Sequence, residues 1–160
     1  MRTVRRAALL LIVLALVTAG CGSSDGAANT PTACLAPAAT YLKALEAAPG
    51  PVRLSGSTPI SDCLVEDQSA GELADVGASL VKAATLLSAS AAAERHAGAE
   101  QALRLGYLVG AVEEAASETS GIHTDLVRRI QAATRILTRG GRSSVARAYA
   151  RGYEAGRRDG

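Results

Sequence analysis

The two histidines and the carboxylate near one of them are the first residues whose types and spacing could do chemistry. His96 lies four residues before Glu100, which on a helix places both side chains on one face. A histidine and a carboxylate can share a metal ion, but two ligands make a weak site, and surface pairing is the simpler interpretation. His123 falls on the apolar side of a predicted helix, where packing is expected. The sequence therefore predicts no metal site and no cofactor.

The sequence motifs of other catalytic and ligand-binding sites give no support for a chemical function either. The sequence has no phosphate-binding loop and no dinucleotide-binding fingerprint. It also lacks the Glu-x-x-His motif of the di-iron helical bundles. The Arg-rich C-terminal part has only Tyr149 and Tyr153 as aromatic residues for base stacking, so nucleic-acid binding is not expected. We therefore expect a protein that is not an enzyme and has no catalytic residues.

The first 21 residues have the layout of a bacterial export signal. Three arginines within the first six residues precede an uncharged apolar run over 7–19 and a small residue, Gly20. This run is shorter than the roughly 20 residues of a membrane-spanning helix. The segment 17–21, Val-Thr-Ala-Gly-Cys, resembles the lipobox of bacterial lipoproteins, with Thr18 where Leu is commonest. The resemblance implies a diacylglyceryl group on Cys21, cleavage before it, and a location on the extracytoplasmic face of the cell membrane. The alternatives are an ordinary secreted protein that is cleaved near Ala19 and an uncleaved anchor.

The lipobox resemblance also decides how the other two cysteines are interpreted. With Cys21 acylated, Cys34 and Cys63 remain as an even pair in an oxidising compartment, where disulfides persist. We therefore predict a disulfide between them. A zinc site is the alternative, but the sequence offers no Cys-x-x-Cys motif or paired histidines as further ligands.

Composition divides the chain into three parts. Residues 1–20 are the predicted signal, residues 21–32 the acylated cysteine with a small, polar tether, and residues 33–160 one domain. The chain has no Trp or Phe, so the core of this domain must use Leu, Val, Ile and Ala. The resemblance to lipoproteins covers residues 1–21 only.

Apolar spacing predicts an all-α domain, a small Ala-rich bundle of about four to five helices. The first helix is expected over 35–48 and ends at a Pro-Gly-Pro sequence. Residues 49–70 then form a long irregular segment, which Cys63 ties back to the first helix, and a binding role is the alternative explanation for its length.

The clearest helical pattern follows a capping box formed by Ser69 and Glu72. Apolar residues then recur at steps of three and four, as in the seam of a packed helix: Leu73, Val76, Leu80, Ala83 and Leu87. We place a turn at 88–92, and one continuous helix over 70–118 is the alternative. Further helices are predicted over 93–118, over 122–138 and from position 143 or 144 onward.

One pair of glycines has the spacing that lets helices approach closely. Gly106 and Gly110 form a Gly-x-x-x-Gly pair in the third predicted helix, which in lipid marks close helix contact. Charged residues flank this pair, so we expect close packing within the bundle and not a membrane span. Gly152 and Gly156 lie on the inner face of the last predicted helix.

Charge is distributed unevenly along the chain. Residues 22–118 contain 12 acidic and 5 basic side chains, whereas residues 119–160 contain 3 acidic and 9 basic ones. We expect the two parts to face one another within the domain or to be simply solvated. The alternative is weak, salt-sensitive contact of Arg128, Arg135 and Arg139 with anionic lipid.

Together these patterns predict a lipid-anchored envelope protein whose helical domain binds or scaffolds a protein partner. The anchor supplies contact with the membrane, and the domain supplies a packed scaffold without a reactive motif. The alternative is a carrier that holds a small ligand in an apolar cavity between the helices.

Overall fold

The structure is a computed structural model that describes residues 29–93, 98–140 and 143–160. Within these ranges five α-helices follow one another: α1 Ala38–Ala44, α2 Ala70–Ala93, α3 Gly98–Ser117, α4 Thr124–Gly140 and α5 Ser143–Asp159. Short 3₁₀ turns occur at Thr32–Leu35, Leu45–Ala47 and Ser61–Cys63. The described residues contain no strand, only an isolated bridge between Leu54 and Thr58. The predicted all-α bundle is confirmed.

Helix α3 lies at the centre of the bundle. It packs against α2, α4 and α5, and every residue from Leu105 to Val112 is buried. Tyr107, which lies nearly opposite the main apolar face of this helix, is fully buried as well. A helix buried on all sides over two turns needs neighbours on more than one face.

Helix α2 begins with the predicted capping box. The Glu72 carboxylate accepts from the Ser69 hydroxyl at 2.9 Å and from its backbone amide at 3.3 Å, and the Glu72 amide donates to the Ser69 hydroxyl at 3.3 Å. Four of the five predicted seam residues are buried, and Leu73 is half-buried at the start of the helix. Capping and periodicity together therefore define this helix.

By length and composition alone, α2 is also apolar enough to cross a membrane. It packs against α1, α3 and α4, and 44% of its most apolar window is buried within the bundle. A core helix passes the same test of length and hydropathy, and the packing of α2 is that of a core helix.

The predicted turn at 88–92 is wrong. Helix α2 continues to Ala93, and α3 begins at Gly98 and packs beside it, so the alternative of one continuous helix is excluded too. Alanine favours helix continuation and gives no stop signal in this stretch. At Gly98 a Cβ atom would lie 2.6 Å from the Ala91 carbonyl oxygen, so the close approach of the two helix ends requires glycine there.

The first predicted helix is divided. Of the helix predicted from position 35 or 36 to 48, the structure has the seven-residue α1, followed by the 3₁₀ turn Leu45–Ala47 and preceded by the 3₁₀ turn Thr32–Leu35. Pro37 is the N-cap residue of α1, and Ala36 before it is extended, with φ −68° and ψ 152°. A residue that precedes proline is sterically excluded from the helical region, which is why α1 begins only at Ala38.

Helices α3 and α5 lie in direct backbone contact through the two glycine pairs. A Cβ atom added to Gly106 would overlap the carbonyl oxygen of Tyr149 in α5, and one added to Gly156 would overlap that of Tyr107 in α3. The other two glycines of the pairs are equally confined: Gly110 and Gly152. The predicted close packing is therefore present, and it depends on residues that lack a side chain.

Candidate functional site

A series of buried hydrogen bonds centred on His123 joins three parts of the chain. His123 is fully buried, and its Nδ1 lies 2.7 Å from the hydroxyl oxygen of Thr119. Its Nε2 lies 2.9 Å from the side-chain oxygen of Gln68. The Gln68 amide donates to the Thr30 hydroxyl at 2.8 Å and to the Cys63 carbonyl oxygen at 3.0 Å. The series thus connects the start of the domain, the loop before α2 and the turn after α3.

The acceptors in this series determine where the protons lie. Because the Gln68 amide nitrogen serves two oxygen acceptors, its oxygen faces His123, and the imidazole Nε2 must donate. In the neutral ring Nδ1 then accepts the single proton of the Thr119 hydroxyl, for which the Ala116 carbonyl oxygen, 3.0 Å from the same hydroxyl, competes. Burial lowers the pKa of His123, so the folded protein favours the neutral ring. His123 is a packed residue with both ring nitrogens satisfied.

Cys34 and Cys63 form the predicted disulfide, with their Cα atoms 5.3 Å apart. Both residues are fully buried, and Tyr41 of α1 donates its hydroxyl to the Cys34 carbonyl oxygen at 2.7 Å. Burial raises the pKa of Tyr41, so its hydroxyl remains a donor at neutral pH. The disulfide uses both sulfurs, which rules out the alternative zinc site, and it fastens the start of the domain to the loop before α2.

The loop over 49–70, whose role the sequence leaves open, is bonded to the bundle along its length. Three of its groups donate to α3 or to the C-terminal end of α5: the Val52 amide to the Tyr107 hydroxyl at 3.1 Å, the Arg53 guanidinium to the Asp159 carbonyl oxygen at 3.1 Å, and the Ser61 hydroxyl to the Gly160 carbonyl oxygen. Carbonyl groups at the C-terminal end of a helix have no hydrogen-bond donors within the helix, and here the loop supplies the donors.

A second polar cluster lies where α3, α4 and α5 meet. Glu113 accepts from the Tyr153 hydroxyl at 2.6 Å and from the Gln131 side-chain amide at 2.7 Å. Tyr149 stacks on Tyr153 with ring centroids 6.4 Å apart, and burial together with the Glu113 charge raises the pKa of Tyr149 to about 12. The hydrogen bond to Glu113 raises the pKa of Tyr153. Both phenols therefore stay protonated at neutral pH, and Glu113 of α3 joins Gln131 of α4 to Tyr153 of α5.

Some of the predicted chemistry falls outside the described residues. This applies to Cys21 with the whole segment 1–28, and to His96, so the lipid anchor and the pairing of His96 with Glu100 remain predictions. Glu100 itself pairs with Arg104, one turn further along α3. Within the part of the chain that the structure describes, no group of three or more His, Cys, Asp or Glu residues could hold a metal ion.

A groove of about 360 Å³ lies on the surface between α1, α2 and α3 and is open to solvent. Its apolar lining includes Leu42 and Leu86, and Leu86 is 45% exposed. Its charged lining includes Lys43, which pairs with Glu46 at 2.6 Å, and Arg104. We call this the α1–α2–α3 groove. Apolar contacts bordered by charges of both signs are typical of protein-binding surfaces.

Two further open grooves lie elsewhere on the described surface. One of about 240 Å³ lies between the N-terminal ends of α2 and α4, and Ile122, 43% exposed, lines it. The other, of about 370 Å³, lies between α1 and the loop near Arg53. The α1–α2–α3 groove is the one that borders three helices of the core, so we take it as the candidate binding site.

The C-terminal arginines divide into paired and unpaired residues. Arg157 pairs with Glu114 of α3 at 2.5 Å, which links the basic part of the chain to the acidic part. Arg135 is engaged by a neighbour, and the side chain of Arg139 lies outside the described part of the structure. Four exposed arginines form no ion pair among the described residues: Arg128, Arg129, Arg147 and Arg151.

No family model, no curated protein sequence and no solved structure matches the chain.

Proposed function

We propose that the protein is a lipid-anchored, non-enzymatic binding domain of the cell envelope. The lipobox resemblance at Cys21 supports the anchor and its location. The two described polar clusters, around His123 and around Glu113, support a scaffold, because their groups are used in bonds between helices and the loop. Because these buried polar groups bond to one another, we expect other molecules to contact the surface of the domain.

The α1–α2–α3 groove is the single observation that carries the binding function. Leu86 lies beside the buried Leu87 yet remains 45% exposed, next to the half-buried Leu42. An apolar patch bordered by charges marks an interaction surface. The occupant we propose is a segment of an envelope protein that places apolar side chains against Leu42 and Leu86 and charged side chains beside Lys43 and Arg104.

Replacing Leu86 by Glu tests this proposal. We expect Leu86→Glu to reduce recovery of the protein partner by about tenfold or more, because a carboxylate in the centre of an apolar contact must be desolvated. The measurement is quantitative mass spectrometry of proteins that co-purify with the full-length protein from detergent-solubilised envelopes.

Leu35→Glu is the matched control, because Leu35 is 43% exposed and lies outside the α1–α2–α3 groove. It should leave the recovered partner unchanged. Equal recovery with Leu86→Glu and the unsubstituted protein would contradict docking in this groove, as would equal losses with both variants.

The anchor has its own test at Cys21. We expect mass spectrometry of the membrane fraction to find the mature N-terminus at Cys21 with acyl chains attached, because the sequence before it resembles a lipobox. Two or three chains would anchor the domain stably, whereas one binds only marginally. A native N-terminus upstream of Cys21, or export into the medium unchanged by Cys21→Ser, would contradict the lipid anchor.

A small-ligand carrier is the second candidate function. Its support is the volume of the α1–α2–α3 groove, about 360 Å³, which lies within the range of about 300–1,000 Å³ for small-molecule sites. A lipophilic molecule that co-purifies with the protein and is lost in Leu86→Glu would favour this function over protein docking.

The exposed arginines support a weak contact with anionic lipid. We expect the unlipidated protein to bind anionic vesicles at low salt and to release them at high salt, since each arginine near such a surface contributes about 1 kcal/mol within a Debye length of about 8–10 Å. Substituting the four exposed arginines that form no ion pair among the described residues, Arg128, Arg129, Arg147 and Arg151, by Gln should reduce binding, and vesicle sedimentation measures it. A lower melting temperature without any vesicle binding would show that these arginines are structural.

A further inference from the structure

The hydrogen bond between His123 and Gln68 ties together the N-terminal ends of two helices. Gln68 directly precedes Ser69, which caps α2, and His123 directly precedes Thr124, the first residue of α4. The Nε2–Oε1 distance of 2.9 Å therefore spans the gap between these helix ends. The groove of about 240 Å³ lies between the same two ends and is lined by the first turns of both helices.

Among the described residues, no charged side chain forms a hydrogen bond with His123. The ring is fully buried, and its described hydrogen-bond partners, Thr119 and Gln68, are neutral. The charged side chains on the loop, α2, α3 and α4 around it are exposed or half-exposed: Glu66, Asp67, Glu72, Asp75, Glu114, Glu118, Asp125, Arg128 and Arg129. An imidazolium ring at this position would be buried without a carboxylate to bond.

We propose that the hydrogen-bonded series Thr119–His123–Gln68–Thr30 is a pH-sensitive latch that opens the groove between the N-terminal ends of α2 and α4 when His123 gains a proton. Both neighbours of the ring can still accept from the protonated form, so hydrogen bonds alone do not open the latch. The closed form is disfavoured because it buries the charge of the protonated ring. When Gln68 moves away from His123, the ring is exposed to water.

The sign of the effect follows from burial. Burial lowers the pKa of His123 in the closed form, so the open form binds the proton more readily. The closed form is fully favoured above the ordinary histidine pKa of about 6.5 and loses this advantage as the pH falls below that value.

The disulfide restricts this opening to one end of the bundle. The Cys34–Cys63 bond keeps the start of the domain attached to the loop when Gln68 releases Thr30. The glycine contact between α3 and α5 lies elsewhere in the fold, and His123 does not belong to it. Acidification should therefore loosen residues near 30, 68 and 119–123 while the α3–α5 contact stays closed.

Hydrogen exchange of the full-length protein at about pH 7.5 and about pH 5 tests the latch. After correction for intrinsic rates, we expect peptides covering 29–36, 64–72 and 116–126 to exchange about tenfold faster at the lower pH. Peptides covering 103–112 and 149–157 should not change. His123→Gln places a neutral amide at this position, so the difference in exchange between the two pH values should vanish. An equal change in all peptides, no change in the unsubstituted protein, or the same change in His123→Gln would overturn the proposal.

A second measurement keeps the proposal testable if His123→Gln does not fold. The chain has only two histidines, so His96→Gln leaves His123 as the single imidazole to observe by NMR. We expect its ring signals to titrate together with amide signals near Gln68 and Thr30. Titration of the ring without any change at Gln68 or Thr30 would overturn the latch.

Discussion

Replacing Gly156 by Ala should lower the free energy of unfolding by about 3 kcal/mol or more and the melting temperature by roughly 10 °C. The added Cβ atom would overlap the Tyr107 carbonyl oxygen and lie 2.8 Å from the Tyr107 carbonyl carbon. These are backbone atoms of a helix that is buried on all sides, so they cannot move aside without separating α3 from α5. Chemical denaturation followed by circular dichroism measures the loss.

Gly71→Ala is the matched control for this prediction. Gly71 lies in the first turn of α2, and nothing lies within 4 Å of the Cβ atom that the substitution would add. Alanine costs less backbone entropy than glycine in a helix, so Gly71→Ala should leave stability unchanged or raise it by about 0.5–1 kcal/mol. Equal losses in the two variants would show that the glycine contact between α3 and α5 does not hold the bundle together.

Removing the disulfide should cost about 3–4 kcal/mol, according to the chain-entropy model for a loop of this length. Cys34 and Cys63 are 29 residues apart, and no other covalent bond restrains the chain between them. We expect the double variant Cys34→Ala and Cys63→Ala to melt well below the unsubstituted protein. A reducing agent should lower the melting temperature of the unsubstituted protein towards that of the double variant.

Two controls accompany the disulfide prediction. The reducing agent should have no effect on the double variant, because that variant has no bond to break. Thiol counting on denatured, unreduced protein should find no free thiol at Cys34 or Cys63. Two titratable thiols in protein isolated from the envelope would contradict the pairing.

The helices that the sequence predicts well are those with local signals. The capping box at Ser69 and Glu72 and the apolar repeat after it locate α2. The Gly-x-x-x-Gly spacing predicts that α3 packs closely within the bundle, and the structure shows that its partner is α5. The end of α2 could not be predicted, because the alanines after Leu87 continue a helix as readily as they end one. Gly98 lies against the Ala91 carbonyl group, and this contact between two helices has no local sequence signal.

The candidate site was less predictable, because its partners are distant in sequence. The apolar position of His123 was visible, but its bond to Gln68, 55 residues earlier, was not. The loop over 49–70 gave no local sign that Arg53 would bond to the end of α5. A weak signal existed for the α1–α2–α3 groove, because Leu86 and Leu87 are adjacent and only one of two neighbours can face the seam of a helix.

Photo-crosslinking in intact cells tests most directly whether this domain docks an envelope protein. A photoreactive amino acid at position 86 of the full-length protein should form an adduct with one envelope protein, and Leu42→Arg should abolish that adduct. The same amino acid at position 35 should form no such adduct, because Leu35 is equally exposed but does not line the α1–α2–α3 groove. The absence of a protein adduct from position 86, or the same adduct from both positions, would contradict the proposed function.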